Sequence, residues 1–148
     1  MIEIEGFLDK NLCDYCVDFF EKNKSKTQSF HNRKLLSISP TKNSNKKIIN
    51  LINKFSKLYP NHKIANFEIL KWPVGEFMDW HDDTIYYDKT TITYLNEDYE
   101  GGRTTINDYT VEPKIGKIIL FDSNQNHKVS TMISNNRYVL LVWYSKIK

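Results

Sequence analysis

The residues of this sequence best suited to chemistry are the triplet His81-Asp82-Asp83. In an extended strand successive side chains point to opposite faces, so His81 and Asp83 would share one face while Asp82 takes the other. A neutral imidazole beside a carboxylate supplies two of the three ligands of a 2-His-1-carboxylate site, which leaves open positions on a non-haem Fe(II). The same triplet is also typical of a polar surface run, so both interpretations stay open on these residues alone.

His127 and Arg137 are the residues that could complete such a site. His127 follows the apolar run 118–121, and Arg137 opens the almost wholly apolar run 137–144. Between them, Ser134-Asn135-Asn136 tolerate the left-handed conformation of a tight turn, so we predict a hairpin that returns Arg137 to the side of His127. Each residue also has an interpretation without function: His127 could be a histidine at the edge of a loop, and Arg137 could be a surface charge. A guanidinium buried at the start of an apolar strand, however, requires an anion.

Together these pieces resemble the catalytic core of the Fe(II)- and 2-oxoglutarate-dependent oxygenases, particularly the prolyl-4-hydroxylase-like branch. The likeness runs from Phe67 to Tyr144. The matching pieces, in chain order, are Gly75-Glu76-Phe77, His81-x-Asp83, Tyr94-Leu95-Asn96, Gly101-Gly102-Arg103-Thr104, Pro113-x-x-Gly116, His127-x-Val129, Arg137-Tyr138 and Trp143. Their order and spacing are far more specific than any single piece.

The resemblance implies a metal centre and a co-substrate site. By correspondence, His81, Asp83 and His127 are the ligands of Fe(II), and O2 and 2-oxoglutarate are the co-substrates. Arg137 matches the basic residue that grips the distal carboxylate of 2-oxoglutarate, which a guanidinium can do through two parallel hydrogen bonds. Tyr94 matches a tyrosine that helps to hold the same carboxylate.

Trp72 is a departure from the family pattern. Many relatives have a tyrosine about nine or ten residues before the first iron-binding histidine, whereas this chain has Trp72 there. An indole donates a hydrogen bond but cannot accept one. We therefore expect Trp72 to line the co-substrate pocket, and its contact with the iron-bound end of 2-oxoglutarate stays open.

The implied reaction is the decarboxylation of 2-oxoglutarate to succinate and CO2, coupled to hydroxylation of an unactivated C–H bond. The resemblance favours prolyl residues of a peptide or protein as the substrate. Another amino-acid side chain or a free small molecule is the alternative for the same machinery. A jelly roll that binds metal without oxidising anything is the alternative from a different class.

Aromatic residues around the metal triplet are the candidates for substrate contact. Trp80 flanks the triplet, and Tyr86 and Tyr87 follow it in a loop, Thr84–Lys89, that could close over a target. Aromatic rings suit a prolyl ring or a peptide backbone. Exposed tyrosines on a loop are also common without any ligand. Both interpretations, substrate contact and ordinary surface residues, therefore stay open.

Arg103 and Trp143 complete the set of substrate candidates. Arg103 either contacts a peptide at the mouth of the site or is an ordinary charge at a strand edge. Nucleic-acid demethylases of the wider superfamily carry a second arginine six residues after the co-substrate arginine, and here that position is Trp143. We therefore expect no nucleic-acid partner.

Composition and charge are those of a globular chain. The 148 residues are 40% hydrophobic and 14% aromatic, and the net charge is +3 with lysines and arginines scattered along the sequence. We predict one domain, 1–148. The first residues are acidic rather than basic, and no apolar run approaches membrane-spanning length, so a cytoplasmic protein with no membrane partner is the default.

Periodicity predicts an α+β fold, in which two N-terminal helices pack on one sheet of a double-stranded β-helix, or jelly roll. Helices are predicted at 9–24, with Asp9 as the cap, and at 46–58, within a supporting part of about 1–63. The predicted strands of the catalytic part, about 64–148, are 64–72, 76–81, 90–96, 103–107, 109–112, 117–122, 127–132 and 136–145.

The remaining chemistry-bearing residues receive no functional role. Cys13 and Cys16 form a Cys-x-x-Cys pair without a second pair or a thioredoxin-like context, which favours two core residues on one helix face. His31 and His62 lie in polar, turn-like surroundings. Segment 25–46 is polar loop, and its apolar run at 35–38 could be an outlying strand.

Overall fold

The computed structural model describes residues 1–29, 36–40, 45–84 and 87–148. Tyr86 and His31 lie outside these residues. The described residues form two α-helices, α1 (Lys10–Lys22) and α2 (Lys46–Ser56), and a 3-10 turn at Lys24–Lys26. Neither helix is long and apolar enough to cross a membrane.

Both predicted helices are confirmed, and each begins at a side-chain cap. Asp9 Oδ1 accepts a hydrogen bond from Leu12 N at 2.8 Å, and Asn45 Oδ1 accepts one from Ile48 N at 3.0 Å. Such caps satisfy backbone donors that have no partner in the first turn. The faces turned to the protein interior are apolar, and they are formed by Cys13, Cys16, Phe20, Ile48, Leu51, Ile52 and Phe55.

The strands form two main sheets and a two-stranded ribbon, with every pair antiparallel. The major sheet has the order β1 (Ile2–Ile4), β10 (Ile118–Asp122), β6 (Lys89–Tyr94), β13 (Arg137–Lys146), β4 (His62–Trp72), β3 (Leu36–Ile38) and β2 (Gln28–Ser29). The minor sheet has the order β5 (Met78–His81), β11 (His127–Val129), β8 (Thr104–Ile106) and β9 (Tyr109–Thr110). The ribbon pairs β12 (Met132–Ser134) with β7 (Glu100–Gly101).

The major sheet has an outer face covered by the helices and an inner face that packs on the minor sheet. Residues alternate between these faces along β13: Tyr138, Leu140 and Val142 join the core with the helices, whereas Val139, Leu141 and Trp143 join the core with the minor sheet. Alternation of this kind is the ordinary consequence of the pleat. The predicted α+β jelly roll with two helices on one sheet is therefore confirmed, and its two sheets do not close into a barrel.

Three predictions about the strands were wrong. The N-terminal part is not only helical, because β1 and β2 form the two edges of the major sheet. The outlying strand considered at 35–38 is present as β3, between β2 and β4. The single strand predicted at 127–132 is instead β11 in the minor sheet followed by β12 in the ribbon. The hairpin predicted between His127 and Arg137 does not form, since β12 pairs with β7 while β13 pairs with β4 and β6.

Gly101 and Gly102 explain why β12 leaves the minor sheet. Both have positive φ, and a Cβ at Gly101 would lie 2.1 Å from Thr131 O. Only glycine allows the backbones to approach this closely, so segment 100–103 takes β12 as its partner. The predicted left-handed turn is present, because Asn135 has a φ of 62°, but it carries the chain from the ribbon into the major sheet.

Candidate metal and co-substrate site

The paired strands β5 and β11 bring two histidines together. His127 lies directly opposite His81 in the register of these strands, and the centroids of their rings are 4.1 Å apart. Asp83 follows β5 by two residues, and its backbone N donates a hydrogen bond to Ser123 O at 2.8 Å. That bond holds the segment after β5 against the end of β10, so the carboxylate faces both rings.

The three side chains are close enough to bind one metal ion. His81 Nε2 lies 3.9 Å from Asp83 Oδ1, and His127 Nε2 lies 3.5 Å from Asp83 Oδ2. One potential ligand atom from each residue lies within 4.8 Å of the other two. Two imidazoles and a carboxylate are the donor set that suits non-haem Fe(II).

Backbone carbonyls fix the orientation of both imidazole rings. His81 Nδ1 lies 2.7 Å from Asp79 O, and His127 Nδ1 lies 3.0 Å from Gln125 O. A carbonyl only accepts, so each Nδ1 is the donor, and the corresponding neutral tautomer has a lone pair on Nε2 for a metal. Burial lowers the pKa of His127, which favours the neutral imidazole that a metal requires.

Asp83 is oriented by side chains that the sequence did not single out for this purpose. Its Oδ2 accepts hydrogen bonds from Thr90 Oγ1 at 3.1 Å and from Trp143 Nε1 at 3.2 Å. Thr90 Oγ1 is in turn 2.9 Å from Ser123 Oγ. The sequence signal for Thr90 was a cluster of threonines in one strand, since each hydroxyl that the strand buries needs a partner.

One pocket connects this cluster to Arg137. Its walls are mainly apolar side chains of the inner face. The lining residues are Leu70, Trp72, Met78, His81, Asp83, Ile92, His127, Val129, Arg137, Val139, Leu141 and Trp143. The predicted hairpin is absent, yet the predicted meeting of His127 and Arg137 in one pocket is present, because each sheet contributes one wall.

Arg137 is buried at the far end of the pocket with most of its donors unused. The side chain is 1% exposed, and its Nη2 donates to Thr104 Oγ1 at 2.9 Å. Among the described residues, its Nε and Nη1 find no hydrogen-bond partner. The guanidinium carbon lies 4.9 Å from the centre of the Trp72 ring and 5.7 Å from that of Tyr94.

Three more buried donors near Arg137 lack partners within the described part of the chain. They are Trp72 Nε1, Tyr94 Oη and Tyr99 Oη, and the last lies beside the Arg137 guanidinium without a well-formed hydrogen bond to it. Burial raises the pKa of Tyr99 to about 12, so its hydroxyl stays protonated at neutral pH. A buried guanidinium surrounded by unpaired donors needs an acceptor with negative charge. The distal carboxylate of 2-oxoglutarate fits that requirement, and the two imidazoles and Asp83 fit Fe(II).

The predicted substrate residues fall into two groups. Tyr87 stacks on Trp143 at the metal end, with ring centres 4.8 Å apart and planes 15° apart, and its hydroxyl accepts a hydrogen bond from Asn66 at 2.8 Å. Trp80 and Arg103 do not line the pocket. Trp80 is 50% exposed on the opposite face of β5, and Arg103 Nη1 lies 2.6 Å from Glu112 Oε2 at the surface.

Comparison with known proteins identifies the family. Residues 67–145 match the sequence pattern of the 2OG-Fe(II) oxygenase superfamily, which is more than half of the chain. The chain belongs to that superfamily. Membership implies Fe(II), with 2-oxoglutarate and O2 as co-substrates, and the His-Asp-His cluster is present for the metal.

Solved structures of prolyl hydroxylases share the fold of this chain. A prolyl-4-hydroxylase of Pseudomonas putida aligns with a TM-score of 0.83 at 17% identity, covering 99% of this chain and 92% of that chain. The viral collagen prolyl hydroxylase of Paramecium bursaria Chlorella virus-1, in its 2OG complex, aligns with a TM-score of 0.74 at 16% identity, covering 99% and 96%.

A prolyl hydroxylase of Trichoplax adhaerens, in complex with a hypoxia inducible factor peptide fragment, has a TM-score of 0.77 at 15% identity, covering 98% of this chain and 83% of that chain. At these identities the likeness establishes the fold alone. No curated protein matches the chain in sequence.

Proposed function

We propose that this oxygenase hydroxylates prolyl residues of a peptide or protein and converts 2-oxoglutarate to succinate and CO2. The observation that carries the proposal is the pocket with two complementary ends. Three metal-binding side chains stand at one end, and a buried arginine with unused donors stands at the other. A dicarboxylate that binds a metal through one end needs metal ligands at that end and a cation for its other carboxylate.

At the metal end, His81, Asp83 and His127 would hold Fe(II). When bound with 2-oxoglutarate and O2, the iron supplies the oxidising chemistry that inserts one oxygen atom into a C–H bond. The protein contributes a fixed ligand geometry, because each histidine is held by a carbonyl and Asp83 is held by Thr90 and Trp143. Such outer contacts typically affect metal affinity 10–100-fold.

At the opposite end, Arg137 would bind the distal carboxylate of 2-oxoglutarate. Its Nε and Nη1 are unused donors for that carboxylate, and Tyr94 Oη provides a third donor nearby. Between the two ends, the inner-face residues Leu70, Val139 and Leu141 form apolar walls. These walls exclude water, so the electrostatic contacts at both ends are strengthened.

Support for a prolyl target comes from the fold and from the aromatic pair at the metal end. Three prolyl hydroxylases share the fold along nearly the whole chain. Tyr87 and Trp143 stack next to Asp83 and offer a flat apolar surface beside the metal ligands. A pyrrolidine ring can pack against such a surface without requiring a hydrogen bond.

The test is hydroxylation of proline-containing peptides by protein loaded with Fe(II) and 2-oxoglutarate. We expect succinate release and a mass increase of one oxygen on the prolyl residue, both lost when that proline is replaced by alanine. Oxygen on another residue, or on a free small molecule, would replace the prolyl assignment with the alternative hydroxylase activity. Absence of any 2-oxoglutarate-dependent spectral change on the Fe(II) protein would favour a metal-binding module without oxygenase activity.

A further inference from the structure

Glu68 is a carboxylate on the inner face of the major sheet that the proposed chemistry does not use. Its register partner across β4 and β13 is Leu141, and paired residues share a face of the sheet. Leu141 lines the pocket, as do Leu70 and Trp72, the next residues of β4 on that face. Glu68 therefore lies beside the pocket on the inner face of β4, next after Leu70 along that strand.

The metal end lies close to this carboxylate. Two residues along the strands from the Glu68–Leu141 pair, on the same face, Trp143 of β13 pairs with Asn66 of β4 and with Thr90 of β6. Thr90 and Trp143 both contact Asp83. Glu68 on β4 is a diagonal neighbour of Trp143 on β13, and such neighbours in a sheet are about 7–8 Å apart.

Glu68 has too few partners for a buried acid. Ser39 Oγ donates to its Oε1 at 3.4 Å, which is a long contact, and its Oε2 is buried without a partner among the described residues. Burial raises the pKa of Glu68, and only the Ser39 hydrogen bond opposes it. A half-buried carboxylate in this state is stabilised most by a charged donor, because charge-assisted hydrogen bonds are about twice as strong as neutral ones.

We propose that Glu68 is a specificity-determining residue that selects peptides with a lysine or arginine next to the hydroxylated residue. This inference rests on the proposed function, because it assumes a peptide in the pocket mouth. The cationic side chain would approach along the inner face of β4 and bring its ammonium or guanidinium group to Glu68 Oε2. Asn66 and Tyr87, already hydrogen-bonded to each other at 2.8 Å, would flank the same path.

The test measures peptide binding to anaerobic protein loaded with Fe(II) and 2-oxoglutarate. The peptides contain one proline and differ only in an adjacent residue, which is lysine, norleucine or glutamate, placed before or after the proline. We expect the lysyl peptide to bind about tenfold more tightly than the norleucyl peptide, and the glutamyl peptide to bind more weakly than either. Glu68→Gln should abolish the preference, and Glu68→Lys should reverse it toward glutamate.

The matched control is Glu5→Gln, which makes the same change in net charge at an exposed carboxylate paired with Lys114 at 3.4 Å. It should keep the preference of the wild-type protein. A normal 2-oxoglutarate-dependent spectral change in Glu68→Gln shows that the metal and co-substrate ends remain intact. Equal or undetectable binding of the lysyl and norleucyl peptides, or a preference that survives Glu68→Gln, would overturn the inference.

Admitting O2 to the same samples separates the two proposals. Hydroxylation of the prolines without a charge preference would leave the proposed function standing and remove the role of Glu68. A charge preference that depends on Glu68, without hydroxylation of any proline, would leave the recognition site standing and remove the prolyl assignment.

Discussion

Two neighbouring residues of β13, Arg137 and Tyr138, show how differently the two faces of the major sheet treat buried polar groups. On the outer face, Tyr138 donates its hydroxyl hydrogen to Glu21. Glu21 also binds Lys71 Nζ at 3.1 Å and Lys24 Nζ at 2.8 Å. On the inner face, Arg137 uses Nη2 and leaves Nε and Nη1 unpaired among the described residues.

The difference distinguishes groups that stabilise the fold from groups kept for a ligand. Each buried donor without a partner costs about 1–3 kcal/mol, so an unpaired set is retained only where something else completes it. The Glu21 contacts complete one another and fasten α1 to the sheet. The inner-face donors around Arg137 require an anion from outside the chain. Both kinds of group can be tested by mutation.

The largest effect is expected from His127→Ala, which removes one of the three proposed metal ligands. We expect Fe(II) affinity to fall by more than about 100-fold, because losing an outer contact alone costs 10–100-fold. Equilibrium dialysis under anaerobic conditions measures it. His62→Gln is the control, since His62 lies outside the pocket against the ring of Tyr59. Wild-type Fe(II) affinity in His127→Ala would contradict the ligand assignment.

Arg137→Met tests the anion end with a side chain of similar length and no charge. We expect 2-oxoglutarate to bind about 100-fold more weakly or worse, since truncating one side of a buried charge pair costs about 2–5 kcal/mol. Fe(II) affinity should not change. The thermal midpoint of the ligand-free protein should not fall, because the substitution removes a buried cation that has no anion. A loss of stability with unchanged 2-oxoglutarate affinity would make Arg137 structural.

Trp143→Phe separates the two contacts of one aromatic residue. The phenyl ring can keep the stack on Tyr87, whereas the hydrogen bond from Nε1 to Asp83 is lost. We expect Fe(II) affinity to fall about 10–100-fold, in line with other outer contacts of metal ligands. Trp80→Phe is the matched control, because Trp80 lies outside the pocket. Equal Fe(II) affinities for the two variants would show that the hydrogen bond does not orient Asp83.

The smallest expected effect is the contribution of Glu21, on the outer face, to the free energy of unfolding, and this contribution depends on pH. Burial raises the pKa of Glu21, but the hydrogen bonds from Lys24, Tyr138 and Lys71 outweigh it and lower the pKa to about 2, from an ordinary value of 4.5. Because the folded-state pKa is the lower one, the carboxylate stabilises the fold above about pH 4.5. This contribution is lost as the pH falls toward 2.

Comparing Glu21→Gln with the wild-type protein measures that contribution. The difference in the free energy of unfolding should be about 2 kcal/mol at pH 7 after allowance for solvent screening, and it should vanish near pH 2. Denaturant unfolding at several pH values provides the data. Affinity for 2-oxoglutarate at pH 7 should stay at the wild-type value. A difference independent of pH would show that packing, rather than charge, explains the role of Glu21.

The parts of the site predictable from sequence are those set by short-range rules or by the family pattern. Alternation predicted that His81 and Asp83 face one side, although Asp83 lies beyond the end of β5, and a cap and a helical stripe predicted α1. The same alternation places Trp80 on the side opposite His81, so Trp80 faces away from the pocket. The prediction that Trp80 contacts the substrate was based only on its aromatic ring and its position beside the triplet. The cytoplasmic location stays a prediction.

The parts that sequence did not predict depend on contacts between distant strands. Thr90 reaches Asp83 only because of the pairing of β6 with β10 and β13, which no local pattern determines. The partner of β12 follows from the close approach of Gly101 to Thr131. Glu68 looks like a solvent-facing acid in its own segment, and only its pairing with Leu141 places it beside the pocket.

The most direct test of the account is a titration of 2-oxoglutarate into anaerobic protein, with and without Fe(II), followed by visible absorption and by heat. If one pocket holds a chelated metal at one end and a carboxylate on Arg137 at the other, the absorption change should need Fe(II). It should disappear in His127→Ala and require at least about 100-fold more 2-oxoglutarate in Arg137→Met. Binding that is unaffected by iron, by His127→Ala and by Arg137→Met would contradict the account.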